Sequence, residues 1–393
     1  MPIWRKALIS ARSCCGWAKS VGLVQIAILG MAALSIGLSG YALWRDETLD
    51  WTFAVPQSPP PAGAPVFETV FDHSPVEGMA HSPAITINGD KVGILWFQGS
   101  SEAQPDVEIH RVTLRRNDAG WQADTPEPYL TSAALGDAFD PRQLVVTLGN
   151  TVQNEAAVDA LYATVVSVGG WAMASVADVR MDDGRPVWAR KLNLSPFLNR
   201  SMLVKSPMVA YSDGSMGLPA YFEMGSTYGV LVRTDAQGRA RDLRRMVGKG
   251  IKPIQPMIVV LDAGRALAFL RDFDDSGQVY VSRTDDGGRT WSVAEATGLA
   301  HPSAPVAALS VSGGHILMAM NGAADSADLL HLALSDDEGS SWRVIHTLDR
   351  QPGDARYPML RRLPDGQILL AYSHGTKKGL RAHVFNEAWV AAQ

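Results

Sequence analysis

Two stretches of this chain set a phenol beside a charged side chain. In "LPAYFEM" (Leu218 to Met224) Tyr221 and Glu223 are two residues apart, a spacing that puts both on one face of a β-strand. A carboxylate placed there can take a phenolic proton. In "RYPML" Tyr357 follows Arg356, whose guanidinium suits an anionic ligand. His81 stands two residues before Pro83, Arg271 precedes Asp272 in "FLRD", and Asp106 follows Pro105 in the polar stretch "WFQGSSEAQPDVEI". These residue types serve proton transfer on an acidic substrate: histidine and tyrosine remove and return protons, and arginine neutralises a carboxylate. Blander uses compete, an Asx turn for Asp106 and a surface ion pair with Asp272 for Arg271. The chain has no H-E-x-x-H, no paired C-x-x-C and no G-x-x-x-x-G-K, so no metal or cofactor is expected.

What must position these side chains is a repeat. "SRTDDGGRTW" (Ser282 to Trp291) and "ALSDDEGSSW" (Ala333 to Trp342) share one arrangement, 51 residues apart. Thr284 or Ser335 is followed by Asp286 or Asp337, Gly288 or Gly339, a second hydroxyl, and Trp291 or Trp342. The carboxylate can accept hydrogen bonds from its own turn, the glycine supplies a positive φ, and the indole closes over the hairpin. Weaker copies in "RRNDAGW", "RMDDGRPVW" and "RTDAQG" place Asp118, Asp182, Asp235, Asp286 and Asp337 at intervals of 64, 53, 51 and 51. A second period is a proline, an apolar run, a glycine turn and another apolar run. Its prolines are Pro83, Pro207, Pro256, Pro305 and Pro358, spaced by 124, 49, 49 and 53. The long interval holds a sixth unit at "LGNTVQNEAAVDALYATVVSV" (Leu148 to Val168), with Thr151 in place of the proline.

Each unit has room for roughly four short strands, the size of a propeller blade. One such sheet cannot bury both faces alone, and six around an axis can. The expected fold is all-β, a six-bladed β-propeller over residues 67–393 preceded by one N-terminal transmembrane helix. The last unit, "RAHVFNEAWV" (Arg381 to Val390), lacks the aspartate turn, so "VFETVF" (Val66 to Phe71) is expected to complete the ring and remove the free edges. Lys205 and Asn150 fall at the inner-strand entrances of the third and second units, as ligand contacts by position. "HGTKKGLR" (His374 to Arg381) adds a basic cluster.

Over residues 67–393 these turns and the six-fold pattern resemble the bacterial sialidase (neuraminidase) superfamily, in particular its sialidase-like proteins with Asp-box repeats. The resemblance implies an active site at the mouth of the axis, where innermost strands begin. It implies three arginines on a substrate carboxylate, an aspartate acid/base, and a tyrosine nucleophile activated by a glutamate. Tyrosine serves there because a carboxylate attacking an anionic sugar would bring like charges together. Carried over by position, Asp106 matches the acid/base, Tyr357 the nucleophile and Arg271 the second arginine. His81 stands at the first arginine's place and Gln255 at the glutamate's, while "NGAADSADLL" after Asn321 contains no arginine for the third. Glu223 is the alternative base. The substrate expected is a glycan, an acidic envelope or extracellular polysaccharide. The reactions left open are sialidase-type hydrolysis, elimination on a uronate by His81 and Tyr357 with Arg271, and glycan binding without catalysis.

Ser20 to Trp44 contains no charge and is preceded by Arg5, Lys6, Arg12 and Lys19. Twenty-five uncharged residues are enough to span a bilayer, and the flanking charge puts residues 1–20 in the cytoplasm, 21–44 in the membrane and the rest outside. A cleaved signal peptide is the rival reading. Both cysteines, Cys14 and Cys15, fall on the cytoplasmic side, so the exported part folds without disulfides; the pair is open to acylation or stays as plain thiols. Residues 45–66, with "VPQSPPPAGAP", read as a stiff spacer. Beyond residue 44 there are 31 basic and 40 acidic residues, which argues against nucleic acid as a partner.

Overall fold

The computed structural model describes residues 14–45, 49–118, 120–194, 200–274, 276–349 and 353–393. The chain divides into two compact units between Leu49 and Asp50. In the first, Cys14–Arg45 is an α-helix. Its Val24–Tyr41 window has mean hydropathy 1.6 and is long and apolar enough to cross a membrane, a property that signal sequences share. The second unit is a six-bladed β-propeller.

Each blade is an antiparallel sheet, and in the first five the strands run outward from the axis in chain order. Blade 1 comprises Met79–Asn88, Lys91–Gly99, Glu108–Asn117 and Gly120–Ala123, with Glu127–Leu130 also paired to its third strand. Blade 2 comprises Thr147–Gln153, Ala160–Val166, Ser175–Asp182 and Arg185–Lys191. Blade 4 starts at Pro253–Val260 and blade 5 at Ala307–Ser310. In blade 3 the innermost strand is split into Met202–Val204 and Val209–Ala210 by "KSPM". Blade 6 runs Arg356–Arg362, Ile368–His374, Gly379–Phe385 and then Phe67–His73. The N-terminal strand thus closes the ring as expected, with Phe67 opposite Phe385, stacked on it, and tilted against Trp389. Second strands such as "ALYATVV" are buried along their whole length, because adjoining blades cover both faces; that is why they read as unbroken apolar runs.

The repeated turns are the staples that the sequence implies. Asp286 Oδ1 accepts from Thr284 Oγ1 at 2.9 Å and Thr290 N at 2.8 Å, while its Oδ2 accepts from Thr290 Oγ1 at 2.7 Å. Asp337 repeats this with Ser335 and Ser341. Gly288 and Gly339 adopt φ of 87° and 80°. Trp342 donates Nε1 to Gly339 O and meets Phe269 of blade 4 edge-on, so it ties one blade to the previous one. Hydrogen bonds from Ser341 and Ser335 hold the Asp337 carboxyl down at about 2. A carboxylate depressed in this way stabilises the fold above its unfolded value of about 4 and ceases to as pH falls through the folded value. Asp337→Asn is therefore expected to lower the melting temperature at pH 7 and flatten the loss of stability between about pH 4 and pH 2. Thermal melts across that range check this, and an unchanged acid limb rejects it.

The proline-rich stretch behaves differently from a free spacer. Residues 50–66 are bound along the propeller at the hairpin turns that end the innermost strands. Phe53, 2% exposed, packs against Tyr211 at a centroid distance of 4.9 Å. Phe53 N donates to Ala263 O and Ala54 N to Ala210 O. The Trp51 carbonyl lies where a Cβ on Gly287 would come within 1.6 Å, so the blade 4 turn must be glycine there. Arg233, with no exposure, donates to Asp50 O and holds its guanidinium 3.2 Å from the Tyr211 ring centroid. Further on, Ser58 Oγ donates to Ser310 O, Arg362 donates to Ser58 Oγ, and Asn386 clasps Ala64 and Val66. Ala54, Val55 and Pro56 roof an axial cavity of about 370 Å³ lined by innermost strands. Packing outweighs the polyproline tendency because Trp51 and Phe53 have apolar surface to bury.

A candidate active site at the mouth of the axis

The innermost strands enter the axis through a repeated irregularity. Pairing between first and second strands jumps from His81 to Ala84 in blade 1, Leu148 to Thr151 in blade 2, Ile254 to Met257 in blade 4 and Arg356 to Met359 in blade 6. Three of these bulges contain the repeat proline, which has no N–H to give the ladder. The preceding residues Ser82, Gln255 and Tyr357 have φ of 55°, 52° and 56°. This left-handed conformation is unfavourable for side-chain-bearing residues. The strain sits at one level of the propeller and re-aims its side chains there.

His81, 1% exposed, faces Tyr357 with ring centroids 4.3 Å apart and an interplanar angle of 64°. Its Nδ1 is 2.9 Å from Ser373 Oγ, which also accepts from Ser82 N. Its Nε2 is 3.9 Å from Glu102 and has no hydrogen-bond partner. Burial, and then Lys377, Lys205 and Arg356, push the imidazole well below its ordinary value, so it is neutral at pH 7. Glu102 itself pairs with Lys377 at 2.6 Å.

On the other side of the mouth Tyr221, 2% exposed, receives Gln255 Nε2 at 3.1 Å and Asn150 Nδ2 at 3.4 Å on its hydroxyl. Asn150 Oδ1 accepts from Ser82 Oγ at 2.6 Å, which links blades 1 and 2 to this phenol. Burial, with Glu223 and Tyr357 as nearby negative or phenolic groups, raises the Tyr221 phenol well above its usual range. Burial also raises the Glu223 carboxyl, opposed by Arg271. Arg271 donates Nη1 to Ser303 O at 3.1 Å and leaves Nε without a partner. Lys205, 3% exposed, donates to Pro358 O at 3.2 Å and lies 5.7 Å from the Tyr357 ring centroid. Arg356 pairs with Asp354 at 3.0 Å.

The structure thus gathers His81, Tyr357, Lys205 and Arg356, and, in a second group, Glu223, Gln255, Asn150 and Arg271 around Tyr221. Two expected residues stand apart in chemistry. The Asp106 carboxylate is exposed and accepts from Ser100 N and Ser100 Oγ, both at 2.9 Å. Those bonds hold it below the usual carboxylate range; their partner lies six residues earlier in the chain, so they brace the loop and do not form the Asx turn of the alternative reading. Asn321 is fully buried and spends its amide on the carbonyls of Ala327, Leu329 and Ala355. It has no donor left for a ligand and acts as a brace beneath the loop of blade 5. Glu102, Ser373 and Lys377 belong to the site although sequence spacing did not single them out; the polar run after "WFQG" and the "TKKG" turn were their only signals.

A family model described as a BNR repeat-like domain matches residues 91–370. The sialidase of Micromonospora viridifaciens is 31% identical over 179 residues, 42% of this chain and 26% of that protein. The matched stretch therefore spans about a quarter of that relative's length. A protein of unknown function from Dyadobacter fermentans superposes with a TM-score of 0.62 at 13% identity, covering 81% of this chain and 99% of its own. A Hadza microbial sialidase superposes with a TM-score of 0.61 at 15% identity, covering 77% of this chain and 65% of its own. At such identities the likeness to the two structures is one of fold.

Proposed function

The chain belongs to the family of BNR repeat-like domains, and from that premise we propose that it is a membrane-anchored, sialidase-type glycoside hydrolase acting on an acidic glycan. Tyr357 is the nucleophile in this reading. The observation that carries it is the setting of Tyr357: a left-handed bulge residue at the axis mouth, its ring against neutral His81 and buried Lys205. A strained residue held by three neighbouring elements is the mark of a pre-organised site. Arg271, Arg356 and Lys205 supply positive charge for a sugar carboxylate, and a phenol approaches such a sugar without like-charge repulsion. Glu223, its carboxyl raised by burial, stands on the Tyr221 side as a second proton carrier. The apolar helix anchors the chain with its N-terminus in the cytoplasm and its propeller outside.

Elimination on a uronate-containing polysaccharide is the second reading. It is favoured by one observation, the partnerless Nε2 of neutral His81 beside Tyr357, a base that can take a proton from carbon next to a carboxylate. Incubating the full chain in detergent with sialosides and uronate polysaccharides, and weighing the products, separates the two. Hydrolysis adds one water to the cleaved bond. Elimination leaves an unsaturated end without that water, and intact glycan with retained binding would overturn both enzymatic readings in favour of a lectin-like propeller.

A further inference from the structure

We propose that Lys377 is an anchor for a glycan carboxylate at the mouth, and that the Glu102 carboxylate occupies this anchor until an acidic ligand displaces it. The proposal rests on the reading that the ligand is an acidic glycan. The hairpin between Ile368–His374 and Gly379–Phe385 turns through Gly375, Thr376 and Lys377, three successive residues with φ of 61°, 54° and 67°. Two of them carry side chains, for which this left-handed conformation is costly. Hydrogen bonds hold the turn in place. Ala80 N donates to Lys377 O at 2.9 Å, Thr376 N to Asp354 O at 3.1 Å and Asp354 N to Thr376 Oγ1 at 3.0 Å.

The turn delivers the Lys377 ammonium to Glu102 Oε2 at 2.6 Å, while Oε1 of the same carboxylate lies 3.9 Å from His81 Nε2. One carboxylate thus sits between an ammonium and an imidazole nitrogen that is buried and has no hydrogen-bond partner. The His81 ring meets Tyr357 at a centroid distance of 4.3 Å, so this carboxylate stands one ring away from the phenol. Both members of the ion pair are partly open to water, Lys377 at 38% and Glu102 at 36%. Such a pair contributes little to stability, and one carboxylate exchanges for another at little cost. A ligand carboxylate seated in place of Glu102 takes the same ammonium, and the Nε2–H tautomer of His81 gives it a second donor.

The test measures binding by calorimetry with the full chain in detergent, carrying Y357F so that the glycan stays intact. The probes are 3′-sialyllactose and trigalacturonate, with lactose as the neutral control. Adding E102Q is expected to raise the affinity for an acidic probe about threefold or more, because an occupied anchor has been emptied. Adding K377M is expected to lower it about tenfold, while K377R stays within about threefold because it keeps the charge. In the protein with both E102Q and K377M the gain from E102Q is expected to vanish. A pair that merely braces the loop predicts a different pattern, in which losing either partner weakens binding alike and lowers the melting temperature. Affinity that E102Q leaves unchanged or lowers, or that K377M leaves unchanged, overturns the proposal. Wild-type turnover with these affinities unmoved removes the anchor and keeps the hydrolase reading. Opposite shifts in E102Q and K377M without wild-type turnover keep the anchor and remove that reading. Binding of neither acidic probe by any of these proteins overturns both.

Discussion

Tyr357→Phe is expected to lower glycan turnover on the order of 10³-fold or more, the usual consequence of deleting a nucleophile, the part proposed for this residue. Affinity for the uncleaved glycan is expected to change by no more than about twofold, because the ring and its left-handed backbone remain and only one oxygen leaves. The substitution is conservative in shape. The ring still meets His81 at a centroid distance of 4.3 Å and still lies over Lys205, so a folding defect is not expected and melting temperature serves as the control. Product mass spectrometry gives the rate and calorimetry with the intact glycan gives the affinity. Turnover that survives the change would take Tyr357 out of the reaction and leave Tyr221, cradled by Gln255 and Asn150, as the phenol to examine next.

The same residues show where a sequence stops being informative. The ring of six blades was legible because its determinants are local: an aspartate turn every 51 or so residues, a proline at most of the bulges, and apolar second strands. Even the closing strand was legible, since a sheet with a missing edge demands one. Tyr357, His81 and Gln255 were legible as positions for a related reason, each standing one or two residues before a repeat proline. Their partners were not. Ser373 is 292 residues from the His81 it bonds, and Lys377 is 275 residues from Glu102. No period relates residues that meet only because the ring closes. Asn321 shows the converse: its place in the repeat was read correctly, but three backbone carbonyls had already claimed its amide. The bound stretch is hard to read from sequence because the prolines at 56 and 59–61 have the composition of a spacer, although "WTF" before them sets aromatic residues in alternation, the pattern of a half-buried strand.

That stretch carries the second large effect. Phe53→Ala is expected to destabilise the propeller by about 3–5 kcal/mol, the range for truncating a buried aromatic ring. Phe53 is 2% exposed and joins Tyr211, Leu231, Ile258 and Leu270 in a single apolar cluster between blades 3 and 4. Removing it also loosens Trp51 and Asp50, on which the buried Arg233 depends for its carbonyl partner. Denaturant unfolding of the full chain measures the loss. A midpoint within error of wild type would mean that the stretch merely lies on the surface. A soluble form should accordingly begin at Asp50, ahead of these contacts, and one begun at residue 66 should be less stable and prone to aggregate through the uncovered cluster.

Ala54, Val55 and Pro56 have one more effect, on traffic. They lie over the axis at the end remote from His81 and Tyr357, and Lys205 crosses the axis beneath those residues. That end of the ring is therefore partly covered by the chain's own backbone. A ligand held by His81 and Tyr357 is accordingly expected at the other end of the ring, clear of these three residues.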